Sequence, residues 1–259
     1  MKTIKLEKEG RIAWLTLNRP DKLNAMNVEL AVDLYNAVYE VENDRDVRVL
    51  VIRGEGKAFC AGGDLMSFVE SPDLKKTITD ILTYLNSAVF SIRRMDKVVI
   101  TAVHGFAAGA GFALAMCSDI TVAAKGTKFN LAYAKIGASP DMGSSLFLTR
   151  LVGFKRASYY MLTGDFIDAE QALDWGLVNF VVDGDRLMEE VKSLAEKMAS
   201  LAPLAVKQDK YLINRELFWD METILEEEKI GIANLATTED MKEGIKAFFE
   251  KRPPNFRGK

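Results

Sequence analysis

The period of apolar and polar side chains changes repeatedly along the chain, and each change marks an element. Residues 2–7 and 11–17 carry the pattern of strands and are joined at Glu9-Gly10, while 47–53, 98–103 and 119–124 are further short β-rich runs. Between them apolar positions recur at helical spacing, predicting helices over 27–43, 75–94, 110–117, 144–150, 154–162, 168–175 and 186–200. Asp168 with Gln171 forms a capping-box-like start for the helix at 168–175. Strands separated by helices predict an α/β fold. No repeat of fixed period and no low-complexity linker interrupts it.

Beyond residue 200 the pattern is wholly helical, over 203–217, 219–233 and 237–251, the last opened by Thr237 with Asp240. The chain therefore divides into a core over 1–200 and a helical region over 201–259. Helices alone have little to bury against, so their apolar faces, carrying Leu225, Ile230, Ile232, Leu235, Phe248 and Phe249, need the main body or another subunit.

Two strands end in runs of very small residues. Val98–Val103 leads into Gly105-Phe106-Ala107-Ala108-Gly109-Ala110-Gly111 and then an apolar helix, and Val47–Arg53 leads through Gly54-Glu55-Gly56 into Phe59-Cys60-Ala61-Gly62-Gly63-Asp64-Leu65. Side chains no larger than methyl let a ligand reach the main chain, and the first N–H groups of a helix lack intrahelical partners. Such amides suit an oxygen that gains negative charge, as when a carbonyl becomes an enolate; two donors from separate turns make an oxyanion hole, each worth about 3 kcal/mol of barrier. The alternative is that Gly109, Ala110 and Gly111 only let strand and helix pack closely, and the pattern alone leaves both open.

Taken with Leu17-Asn18-Arg19-Pro20, Leu23-Asn24-Ala25, Leu162-Thr163-Gly164-Asp165, Gly176-Leu177-Val178 and the tail Glu243–Arg252, these runs resemble the crotonase (enoyl-CoA hydratase/isomerase) superfamily, in order and over essentially the whole chain. The resemblance implies a crotonase (ClpP-like) spiral of ββα units and a C-terminal helical region that trimerises and covers the site. It implies a homo-trimer, often paired into a hexamer, that binds acyl-CoA thioesters, coenzyme A being part of the substrate and no separate cofactor being needed. The enolate-stabilising donors transfer to the backbone N–H groups of Ala61 and Ala110, the latter standing where glycine is commoner. Lys22, Leu23 and Ala25 are expected near the CoA adenine and pantetheine, Gly62, Gly63, Asp64, Leu65 and Tyr133 around the thioester, and Lys251 near a phosphate, across a subunit boundary.

Acid/base residues decide which reaction the enolate undergoes. Hydratases resemble one another in two glutamates, and the matching positions here hold Ala113 and Tyr133. An alanine moves no proton, and a phenol with an ordinary pKa near 10 is a poor base at neutral pH. A few residues on, Ser139-Pro140-Asp141-Met142-Gly143-Ser144 is similar to the PDxGG site of bacterial enoyl-CoA isomerases, including the ring-epoxide and oxepin isomerases of phenylacetate breakdown, in which the aspartate is the acid/base; Ser144 replaces the second glycine. Beside a thioester in an apolar pocket, Asp141 is expected to have a raised pKa. As a sequence feature it also reads as the N-cap of the following helix. Aryl-CoA dehalogenases resemble the chain at Asp141 too, but need a histidine near 64–70, where there is none.

Composition adds exclusions. At 259 residues, 49% hydrophobic and net charge −3, the chain buries a sizeable core and shows no basic excess for nucleic acid. Cys60 and Cys117 make no disulfide framework, no metal-ligand spacing occurs, and the single histidine, His104, reads as structural. With no signal-like start and no apolar run approaching the ~20 residues of a membrane span, a cytoplasmic enzyme is expected. The reading is an isomerase that shifts a Δ3 double bond to Δ2 through Asp141. The alternatives are an enoyl- or cyclic dienoyl-CoA hydratase in the same fold, and a member that only binds acyl-CoA or acts as a scaffold. Acyl-pocket candidates are Met66, Phe68, Leu82, Leu85, Tyr133, Met142 and Leu146.

Overall fold

The aliphatic runs of the sequence form the centre of a six-stranded sheet in the computed structural model, which describes residues 1–259. In chain order the elements are β1 (Ile4–Glu9), β2 (Ile12–Leu17), α1 (Val28–Asn43), β3 (Val49–Gly54), α2 (Leu65–Val69), α3 (Leu74–Arg94), β4 (Val98–Val103), β5 (Phe106–Ala108), α4 (Ala110–Met116), β6 (Ile120–Ala124) and β7 (Lys128–Asn130). They continue with α5 (Ser144–Val152), α6 (Phe154–Thr163), β8 (Ile167–Asp168), α7 (Ala169–Asp174), β9 (Phe180–Val182), α8 (Leu187–Ala199), α9 (Pro203–Leu217), α10 (Met221–Leu235) and α11 (Glu239–Glu250). Three-residue strands β5, β7 and β9 and the two-residue β8 are too short to show a period, which is why only the longer strands were expected from sequence.

The large sheet has the order β1-β2-β3-β4-β6-β9; β1 is antiparallel to β2 and every other pair is parallel. A parallel sheet is covered on both faces, and β2 and β4 are buried at every position. Leu15, Leu50, Ile52 and Val99 face the main core, which includes α1 and α3, whereas Trp14, Val49, Val51 and Ile100 face Leu187, Val191 and Ala195 of α8. A second sheet has the order β5-β7-β8, with β5 parallel and β8 antiparallel to β7. Since β3 and β4 are parallel neighbours, the two small-residue turns leave the same edge, the C-terminal one, where α/β proteins bind ligands.

The predicted capping box at Asp168 is present, but the last helix is capped by Thr238, whose hydroxyl accepts from the Met241 N–H, and not by Thr237. Met221, Leu225, Ile232, Met241 and Ile245 join the same core as the sheet, so residues 201–259 share the body's interior, while Ile230, Phe248 and Phe249 stay exposed. No helix is long and apolar enough to cross a membrane.

Candidate active site

The two turns are stitched together by backbone alone. Cys60 forms a parallel bridge to Ala107, its N–H donating to the Phe106 carbonyl at 3.1 Å and its carbonyl accepting from Ala108 at 3.0 Å. A Cβ built on Gly111 would lie 2.4 Å from the Cys60 carbonyl oxygen, and one on Gly62, at φ +91°, 2.8 Å from that of Ala108. Close packing is therefore what Gly111 serves. One residue earlier, the Ala110 N–H has no acceptor within the protein and Ala110 lines an apolar cavity.

The same bookkeeping of amides corrects the first donor. Ala61 is already engaged, its N–H donating to the Leu23 carbonyl at 3.0 Å. Gly63 bridges Met26 in parallel: Met26 donates to the Gly62 carbonyl at 2.7 Å and Asp64 donates to the Met26 carbonyl at 3.0 Å. Alternation along an extended chain then turns the intervening Gly63 N–H away from Met26, and it has no acceptor within the protein. Gly63 lines the cavity together with Ala110, and Ala61 does not.

Asp141 lines the same cavity. The structure rules out the capping role for it, because α5 is preceded by Gly143 at φ +78° with no side-chain cap from its own segment. Capping falls instead to Glu228 of α10, which accepts from the Gly143 N–H at 2.6 Å, from the Ser145 N–H at 2.9 Å and from the Ser145 hydroxyl. Met142 at φ +53° and Gly143 form two successive left-handed residues that leave the Asp141 carboxyl on the cavity wall. There Tyr133, from a 3-10 turn over Ala132–Ile136, donates its phenol to Asp141 Oδ1 at 2.6 Å.

The cavity is small, about 50 Å³, and Asp141 is the one carboxyl on its walls. Burial pushes Asp141 up to about 7; the Tyr133 hydrogen bond pulls it back and the charge of Glu228 pushes it further up. Burial also raises the Tyr133 phenol well above its usual range, with the Asp141 charge adding to it, so Tyr133 serves as a hydrogen-bond donor and not as a base. Ala113, at the other position where a hydratase-like glutamate was sought, is completely buried. Of the acyl-pocket candidates, Phe68, Leu82, Leu85 and Tyr133 line the cavity; Met66 is solvent-exposed, and Met142 and Leu146 are buried in the main core. Ile232 and Met241, from the C-terminal helices, close the remaining side.

The other expected residues lie around this centre in two groups. Lys22, Leu23 and Ala25 form the adjoining loop, in which Leu23 and Asn24 both have positive φ; Leu65 lines the cavity. Asp64 is turned from ligand binding to structure, pairing with Arg19 at 2.8 Å and capping α2 through the Ser67 N–H. Lys251 is exposed just past the end of α11, roughly 15 Å along the helix from Met241 at about 1.5 Å rise per residue. Within one chain it is not brought to the cavity.

Sequence reasoning missed three residues that build the site. Glu228 sits in Glu226-Glu227-Glu228-Lys229, which reads as a solvated helix face. Arg19 ties Asp64 to the Ala25 carbonyl, and the buried Asn24 amide donates to the carbonyls of Glu55, Ala58 and Phe59. The positions of Arg19 and Asn24 within the NRP and LNA blocks were their only signal. Burial pushes the Cys60 thiol up to about 12 and its sulfur donates to the Asn24 carbonyl, which makes it an unreactive packing residue. His104 is bonded to the Gly56 carbonyl at 2.9 Å. A larger cleft of about 530 Å³ lies between α3 and α9, where Lys207 is paired with Asp96, and Arg93 and Lys210 with Asp119 behind it.

Comparison with known proteins identifies the family. The family described as "Enoyl-CoA hydratase/isomerase" matches residues 7–259. A "1,2-epoxyphenylacetyl-CoA isomerase" of Escherichia coli is 36% identical over 256 residues, covering 97% of both chains. A "Short-chain-enoyl-CoA hydratase" of Clostridium acetobutylicum is 38% identical, covering 95% of this chain and 94% of that one. The crystal structure of an enoyl-CoA hydratase from Mycobacterium avium subsp. paratuberculosis superimposes with a TM-score of 0.90 at 29% identity, over 98% of each chain. With its paired parallel turns, its spiral of strands and helices and its C-terminal helical cover, the chain belongs to the enoyl-CoA hydratase/isomerase family and has the crotonase fold.

Proposed function

We propose that the protein is an enoyl-CoA isomerase that shifts a double bond from Δ3 to Δ2, with Asp141 as its only acid/base. The Asp141 carboxylate takes a proton from Cα; the C–H electron pair moves into a dienolate whose oxygen accepts hydrogen bonds from the Gly63 and Ala110 N–H groups. The thioester carbonyl then reforms, a double bond closes between Cα and Cβ, and the Asp141 carboxylic acid returns its proton to Cγ. One group serves both steps. Its pKa of about 7 suits that exchange, since it is ionised and protonated in comparable amounts at neutral pH.

The observation that carries this reading is that Asp141 is the sole carboxyl on a cavity also lined by Gly63 and Ala110, whose N–H groups have no acceptor within the protein. Hydration needs a water held against the β carbon, and Ala113 and Tyr133 replace the two carboxylates that would hold one. Lys22, Leu23 and Ala25 are the proposed CoA loop. Lys251 would reach a phosphate from a neighbouring subunit of a trimer or hexamer, an assembly supported by the exposed Ile230, Phe248 and Phe249. A second reading, hydration with Asp141 activating water, is favoured by the hydratase names of most relatives, among them a 2,3-dehydroadipyl-CoA hydratase of Escherichia coli 36% identical over 259 residues.

Incubating the protein with 3-enoyl-CoA and with 2-enoyl-CoA, and following products by chromatography and mass, separates these. Isomerisation moves the double bond at unchanged mass. Hydration adds one water, and a protein that only binds its thioester does neither.

A further inference from the structure

Glu228 is the one glutamate of α10 that is withdrawn from water, at 9% exposure, while Glu226 and Glu227 beside it are solvated. Burying a carboxylate is costly unless its oxygens are bonded. Three donors meet them here, the Gly143 N–H, the Ser145 N–H and the Ser145 hydroxyl, all from the first turn of α5. Burial pushes the Glu228 carboxyl above the usual carboxylate range, and the three donors pull it back towards the ionised, acceptor-only form, which the positive end of the nine-residue α5 also favours. The anchored Gly143 amide is two residues from Asp141, across the left-handed Met142.

We propose that Glu228 is a positioning residue for Asp141: the C-terminal helical region reaches across to hold the turn that carries the acid/base and sets a negative charge behind it. This rests on the reading of Asp141 as the proton shuttle. Holding the turn fixes where the carboxyl sits relative to the Gly63 and Ala110 amides. The charge opposes ionisation of Asp141 and so keeps the carboxylic acid available to return the proton. From the elements packed around Glu228, the titratable groups that face it are Asp141 and the Tyr133 phenol. From α3 the neutral Asn86 amide bonds to the Leu225 carbonyl. The nearby cations are engaged elsewhere, Lys229 with Glu226 and Arg150 with Asp220.

The test compares Glu228→Gln and Asp141→Asn with the parent protein in the 3-enoyl-CoA isomerisation assay across pH, together with thermal melting. Glu228→Gln keeps the shape and two of the hydrogen bonds but removes the charge. Its kcat is expected to fall roughly tenfold with KM little changed, as for a reacting group held less firmly. The acidic limb of kcat/KM is expected to move to lower pH by roughly half a pH unit or more, because a like charge has been removed. A lower melting temperature with the limb unmoved would make Glu228 a helix cap and overturn the proposal. If Glu228→Gln does not fold, Ser145→Ala takes its place: it withdraws one donor and loosens the hold on the turn, so kcat falls with KM little changed and the limb shifts, and an unchanged kcat with an unmoved limb again overturns it. Wild-type turnover in Asp141→Asn identifies the other failure, that of the acid/base reading itself.

Discussion

The two walls of the cavity are built in different ways. On one, the Gly63 and Ala110 amides are aimed by backbone bridges, Met26 to Gly63 and Cys60 to Ala107, and by glycines that permit contact closer than any side chain. On the other, the Asp141 carboxyl is bonded by the Tyr133 phenol, and the turn that carries it is bonded by Glu228 from the C-terminal helices. A backbone wall depends on which amide is left unpaired and tolerates changes of small side chains. A side-chain wall depends on charge and burial, so single-atom changes move its pKa.

That difference predicts a ranking of substitutions. The largest effect falls on the side-chain wall: Asp141→Asn keeps the shape and still accepts from Tyr133, yet turnover should drop by about two to four decades, with acyl-CoA binding measured by calorimetry nearly unchanged. Next come the amides. Ala110→Pro and Gly63→Pro each delete one N–H and should cost on the order of a hundredfold in kcat, whereas Ala110→Gly keeps most activity. Full turnover in a folded Gly63→Pro protein would return the donor to another amide of the turn.

Smaller effects concern tuning. Tyr133→Phe removes the hydrogen bond that stabilises the Asp141 carboxylate, so the acidic limb of kcat/KM should move to higher pH and kcat should fall by about tenfold; an unmoved limb would disconnect the pair. The smallest readout is stability. Asp141 has a folded pKa of about 7 against about 4 for an unfolded aspartate, so between those values the folded chain holds a proton that the unfolded chain has released. Stability contributed at this position therefore falls as pH rises from about 4 to 7, and the cost is complete above 7. Asp141→Asn should accordingly melt higher than the parent at pH 8 and close to it at pH 4.

Much of the backbone wall was legible in the sequence. β4 was read with its observed limits because its run is buried on both faces, and the two small-residue turns stood out as such. Which amide is unpaired was not legible: Ala61 and Gly63 lie in one run of small residues, and only the partners Leu23 and Met26 distinguish them. Asp141 stood out because both glutamate positions were vacated by Ala113 and Tyr133. Its environment did not, since Glu228 bonds the following turn from 87 residues beyond Asp141, out of a helix whose charges look solvated. The short α2, which brings Phe68 to the cavity, carries too few residues for a helical period.

Cleavage of the Cα–H bond by Asp141 is measured most directly with 3-enoyl-CoA deuterated at Cα, following the label by mass and NMR in the parent protein and in Asp141→Asn. In the parent, label should leave Cα and appear at Cγ or in solvent as the double bond moves, and in Asp141→Asn it should remain at Cα. Label leaving Cα at the parent's rate in Asp141→Asn would contradict the assignment of Asp141 as the acid/base.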